Sequence, residues 1–139
     1  MRVFALNARA PYFLVQQLMP AMCKGSSVVL VSSLAAHASV GSLSAYAATK
    51  GAIDALVKHF ALALGGRGVR VNAIAPGVVE TGMSALATTE SGREATLDMQ
   101  MLKHIAQCED IGHTVVFLAS DAARWITGET LCVDGRLRL

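Results

Sequence analysis

Tyr46 and Lys50 stand four residues apart in Ser44-Ala-Tyr-Ala-Ala-Thr-Lys50. On a helix that spacing puts both side chains on one face, one turn apart. A phenol with its ordinary pKa of about 10 is a poor base at neutral pH. A cation held within about 4–6 Å favours the phenolate and brings the group toward the range of acid–base work. Lys50 is the natural cation, although a packed ring beside a solvated amine gives the same spacing, so the neighbours decide. Ser33 lies upstream, at the C-terminal end of the β-branched run Ser27-Val-Val-Leu-Val-Ser-Ser33. Ligands of open α/β sheets bind beyond the C-terminal ends of the strands, and a hydroxyl there can hold a substrate oxygen. Ser32 points the other way along a strand and is the weaker candidate.

Other chemistries find little support. The four histidines (His37, His59, His104, His113) never fall at i, i+4, and the three cysteines (Cys23, Cys108, Cys132) are widely spaced, so neither a metal site nor a disulfide framework is expected. That cysteine usage points to a reducing, cytoplasmic setting. Twelve basic against ten acidic residues leave a net charge of +2 with no basic run, which argues against nucleic acid as a partner. The stretch from Gly25 to Thr49 carries no Asp, Glu, Lys or Arg, but its many serines make it too polar for a membrane span. The N-terminus is interrupted by Arg9, Pro11, Gln16 and Gln17 and does not read as a targeting segment.

The elements that must hold these groups follow from periodicity. Val3 to Cys23 reads as a helix bent near Pro11, and Ser27 to Ser32 as a strand buried on both faces, as in a parallel sheet. Ser44 to about Leu64 has apolar residues at helical spacing and a Gly65-Gly66 stop. A second strand over Gly68 to Ala75 closes at Pro76-Gly77 and completes a βαβ unit. Residues Met83 to Gln107 suggest short helices over a cleft, with an apolar cast from Met83, Leu86, Leu97, Met99, Met101 and Leu102. Glu109-Asp110 opens a further helix, and Gly128 to Asp134 forms a third strand. With 53% hydrophobic residues and no linker, residues 1–139 are expected to form one α/β domain.

Taken in order, Ser32-Ser33, Tyr46-Ala-Ala-Thr-Lys50, Val69-Arg-Val-Asn-Ala-Ile-Ala-Pro-Gly77, Thr81 and Ile126-Thr-Gly-Glu-Thr-Leu-Cys-Val-Asp-Gly135 resemble consecutive blocks of the short-chain dehydrogenase/reductase family. The resemblance covers nearly the whole chain. It implies a partial Rossmann-type, doubly wound parallel sheet (the last three strands with flanking helices) and a reaction interconverting a ketone and a secondary alcohol by hydride transfer with NAD or NADP. Tyr46 would be the acid/base, Lys50 would tune it and hydrogen-bond the nicotinamide ribose, and Ser33 would orient the substrate oxygen. Asn7, in Leu6-Asn7-Ala8, is similar to the asparagine that completes the family's proton relay, though it also reads as a helix-surface residue. Pro76, Gly77, Val79 and Thr81 would meet the nicotinamide carboxamide. Gly65-Gly66-Arg67-Gly68 ends a helix and precedes a strand, the reverse of a phosphate-binding fingerprint.

The sequence also departs from the family pattern. The first strand, the TGxxxGxG turn and the Asn-Ala-Gly segment are absent, so the residues that cradle the pyrophosphate and choose NAD or NADP are not among these 139. An upstream continuation encoding them is expected, and without it the edge of the Ser27–Ser32 strand would lie open. Cys108 stands where relatives often carry Pro at a helix start, and Arg136 where a second Gly would serve a turn needing positive φ. The family also implies a small-molecule carbonyl or alcohol substrate and a homo-oligomer, dimer or tetramer, paired through the long helix. The competing function is a non-catalytic truncated fragment or pseudoenzyme that only associates with a full-length relative.

Overall fold

The structure, a computed structural model, describes residues 2–39 and 41–136, without the side chains of Ala85 and Leu86. Three parallel strands, β1 (Ser27–Val31), β2 (Arg70–Pro76) and β3 (Thr130–Val133), lie in the order β1-β2-β3. Ser27 pairs with Arg70 and Val31 with Ile74, while Ala73 pairs with Thr130 and Pro76 with Val133. Parallel neighbours need a crossover, and the long helix α3 (Ser44–Gly65) supplies it between β1 and β2. Between β2 and β3 come the short helices α4 (Ala85–Thr88) and α5 (Glu90–Met99), then α6 (Cys108–Ala119).

Helices cover both faces of the sheet. On one, Val15 of α2 (Ala10–Leu18) meets Phe60, Ala61 and Leu64 of α3 over Val69 and Val71, and Ile53 and Val57 pack on Ala73. On the other, Leu118 of α6 packs with Ile74 and Ala123, backed by Val29, Leu131 and Val133. Burying a side chain of this size stabilises the fold by about 1.5–3 kcal/mol, so these layers fix the position of α3 on the sheet. The buried Asn72 fastens β2 to the approach of β3, its Nδ2 donating to the Ile126 carbonyl (2.9 Å) and its Oδ1 accepting from the Glu129 amide (3.1 Å). Three strands, their order of appearance and the 44–64 helix are as the sequence predicts.

Several details differ. The N-terminal helix does not bend simply at Pro11. A turn of α1 (Arg2–Phe4) widens into a π-helical stretch, Ala5–Arg9, and resumes as α2. Pro11 has no N–H and its ring crowds the carbonyl four residues back, that of Asn7, so a widened turn just before it relieves both faults. β1 is not buried on both faces. It is the sheet's edge, Val31 is 53% exposed, and an apolar groove of about 690 Å³ runs between Leu6, Phe13 and Leu14 on one side and Val29 and Val31 on the other. α3 stops at Gly65-Gly66, as the sequence predicts, and the left-handed residue of the turn into β2 is Gly68. Gly68 has φ +71 and approaches Lys24 so closely that a Cβ would fall 2.9 Å from its Cγ. Arg136 takes φ 53, the positive value its position in the sequence implied.

Candidate active site

The end of β1 divides two adjacent hydroxyls. Strand alternation turns Ser32 inward, where it is buried, and its Oγ donates to the Lys50 carbonyl at 3.2 Å while its amide donates to the Ile74 carbonyl at 2.7 Å. Ser33 is extended (φ −163, ψ 151) and half-buried, and its Oγ accepts from the Ala35 amide at 3.2 Å as the cap of the 3₁₀ turn Leu34–Ala36. Its hydroxyl hydrogen remains a donor for an oxygen at the sheet's C-terminal edge.

The first turns of α3 bring up the other groups. Lys50 is half-buried, with Nζ 5.7 Å from the Tyr46 ring centroid. Nζ also donates to the Val31 carbonyl at 2.8 Å, so the lysine is braced against the last residue of the edge strand. Burial pushes the Lys50 ammonium below the ordinary lysine range, and the charge of Asp54, one turn further on, opposes that shift. Asn7 reaches the same helix from the π-helical turn, its Nδ2 donating to Thr49 Oγ1 at 3.3 Å. The buried Thr49 donates in turn to the Tyr46 carbonyl at 2.7 Å. Asn7 and Lys50 also line the same groove. Thr49 is a link that sequence reasoning missed, and its only signal was a small hydroxyl on the core-facing side of the Tyr-Lys segment.

The turn after β2 forms a second wall. Gly77 is required by contact rather than by φ, since a Cβ there would fall 2.8 Å from Asp134 Cα, and its amide donates to the Val133 carbonyl at 3.1 Å. Val79 bridges to Ala106, and the Glu80 amide donates to the Ala106 carbonyl at 2.9 Å, closing the base of the segment that carries α4 and α5. Glu80 clasps this segment further. It pairs with Arg93 of α5 at 2.8 Å and accepts from Gln107 Nε2 at 2.7 Å, and these partners hold its carboxyl below the ordinary range. Thr81 follows in the same turn, half-buried, and Met83 is 93% exposed. Because Ser32 bonds Ile74 and β2 runs on to Pro76, Ser33 and Pro76–Gly77 share the C-terminal edge of the parallel sheet.

An ammonium, a phenol and hydroxyls at that edge are a donor set suited to a ribose and a carboxamide, the nicotinamide end of a dinucleotide. The pyrophosphate end has no counterpart among the described residues. Gly65 to Gly68 lead from a helix C-terminus into β2, the wrong polarity for an anion cradle. The described residues also contain no cluster of three or more metal-ligating side chains and no helix long and apolar enough to cross a membrane.

A family model described as enoyl-(acyl carrier protein) reductase matches residues 1–136. The chain is 35% identical to versicolorin reductase 1 of Dothistroma septosporum, covering 96% of this chain and 56% of that protein. It is 36% identical to dehydrogenase/reductase SDR family member 4 of Bos taurus, over 96% of this chain and 49% of the relative. Among solved structures, the angucycline C-6 ketoreductase LanV with bound NADP superposes with a TM-score of 0.89 at 35% identity, covering 97% of this chain and 52% of that one. The chain therefore spans about half the length of the proteins it matches.

Proposed function

The chain belongs to the short-chain dehydrogenase/reductase family, and we propose that it forms the catalytic half of an NAD(P)-dependent oxidoreductase that interconverts a ketone and a secondary alcohol. The observation that carries this reading is the placement of the Lys50 ammonium beside the Tyr46 ring at the same sheet edge as Ser33. When bound, the nicotinamide supplies or accepts the hydride at the substrate carbon. The chain's own residues handle the oxygen. Ser33 donates its hydroxyl hydrogen to the carbonyl oxygen and stabilises the charge that grows there. Tyr46 gives the proton that completes the alcohol, or takes it in the reverse direction. Lys50 favours the phenolate that is left and binds the ribose, and Asn7, held to α3 by its hydrogen bond to Thr49, would serve the relay toward the lysine. Pro76, Gly77, Val79 and Thr81 border the carboxamide.

In this reading residues 1–139 are one domain, the C-terminal portion of a dinucleotide-binding fold. The substrate is lipophilic or ring-bearing, consistent with the exposed Met83, Met101 and Leu102 on the covering segment and with a relative named for ketone reduction. We assign the whole protein to the cytoplasm, on the strength of its three free thiols, and to a homo-oligomer paired through α3, where Leu62 is 84% exposed. Titration of the whole protein with NADH and NADPH, followed by nicotinamide fluorescence, tests the proposal. Saturable enhancement in a folded sample is the expected result. A folded protein that leaves both nucleotides unchanged would instead be the non-catalytic partner of a longer relative.

A further inference from the structure

The chain that carries Ser33 is fastened to α3 at two points, one on either side of that serine. Before it, the Ser32 hydroxyl donates to the Lys50 carbonyl at 3.2 Å. After it, the 3₁₀ turn Leu34–Ala36 ends at His37, whose Nε2 lies 3.3 Å from Oδ2 of Asp54. Asp54 uses its other oxygen on the sheet, Oδ1 accepting from Thr130 Oγ1 of β3 at 3.1 Å. The two anchors on α3, residues 50 and 54, are one helical turn apart. Aspartate is a poor helix former away from a first turn, and this one stands in the third turn of a 22-residue helix with both oxygens engaged and its side chain only 19% exposed.

We propose that Asp54 is a positioning residue of this site: its carboxylate ties the Ser33 loop, through His37, and strand β3, through Thr130, to the helix turn beyond Lys50. The assignment rests on the reading of Ser33, Tyr46 and Lys50 as the reacting groups. Among the described residues the loop makes no other polar contact outside its own turn, so without Asp54 only the apolar packing of the buried Leu34 and Ala35 holds the chain beyond Ser33. The charge also matters. The groups that feel Asp54 are His37 on the loop, Lys50 on α3 and Cys132 on β3, and its effect on Lys50 opposes that of burial. His37 pairs with the carboxylate as a cation or, when neutral, through an Nε2–H tautomer, so the tie does not depend on protonation.

Three variants test this. In Asp54→Ala, hydrogen exchange at amides 34–39 should quicken by up to about tenfold, the loss of one ordinary hydrogen bond, while β2 amides keep their protection. In Asp54→Asn, which keeps the shape and loses the charge, the NMR titration midpoint of Lys50 should fall, and Asp54→Glu should restore it in part. In turnover assays Asp54→Ala should lower kcat by about tenfold with KM little changed, since misplacement of a reacting group weakens the transition state more than substrate binding. Unchanged exchange at 34–39 together with an unchanged Lys50 midpoint would overturn the proposal, as would equal loss of protection throughout the sheet. If exchange and midpoint move as expected in a protein that shows no turnover at all, the tie stands and the oxidoreductase reading fails.

Discussion

Ser32 and Ser33 are neighbours with opposite assignments, and the difference comes from which way each side chain leaves the strand. Ser32→Ala removes a part-buried hydrogen bond to the Lys50 carbonyl and should cost about 0.5–1.5 kcal/mol of stability, seen as a lower denaturation midpoint. Ser33→Ala removes a group whose only described partner is the Ala35 amide, so it should leave the midpoint nearly unchanged and lower the rate of ketone reduction. A reversed pattern, stability lost at 33 and rate lost at 32, would exchange their roles. That Tyr46 and Lys50 share one helix face and that the two serines leave the strand in opposite directions were legible in the sequence because each depends on a local period, 3.6 for the helix and 2 for the strand. Thr49, His37 and Asp54 were not. Their partners are Asn7, Asp54 and Thr130, brought together by tertiary packing that no local period records.

At the scale of elements, α3 and the strands were readable because long periodic or β-branched runs dominate their burial. The π-helical turn was not, because it answers a crowding between Pro11 and the preceding carbonyls that a helical wheel does not show. The sequence around residues 83–107 indicated short helices, and the structure adds what holds them. Glu80, Arg93 and Gln107 clasp α5 to the turn after β2. Because the Glu80 carboxyl is held below its ordinary value of 4.5, the clasp contributes fully above that pH and is lost as pH falls through the lower folded value. Hydrogen exchange at amides 90–99, corrected for intrinsic rates, should therefore be slow at pH 7 in the wild type, faster once pH has fallen through the lowered folded value, and fast throughout in Glu80→Gln. Slow exchange at pH 7 in Glu80→Gln would show that packing alone holds the segment.

Over the whole molecule, a three-stranded parallel sheet with helices on both faces brings the ends of β1 and β2 and the start of α3 to one edge, and the proposed chemistry gathers there. Among the described residues β1 is the border strand of the sheet, with exposed Leu6, Leu14 and Val31 beside it. What the strand composition could not show was how far that edge strand would be uncovered, since Val-Val-Leu-Val reads alike at a centre or a border. Asn7 and Lys50 face the groove beside that edge, so the site and the uncovered surface are continuous. The most direct test follows the hydrogen itself. Protein supplied with nicotinamide deuterated at the transferable position and with cyclic ketones should yield alcohol labelled at the carbinol carbon, and Tyr46→Phe, folded as the wild type, should retain less than about a tenth of that turnover, because general acid–base catalysis contributes about a hundredfold or more. Unlabelled alcohol from the wild type, or labelled alcohol formed by Tyr46→Phe at more than that fraction, would contradict the account.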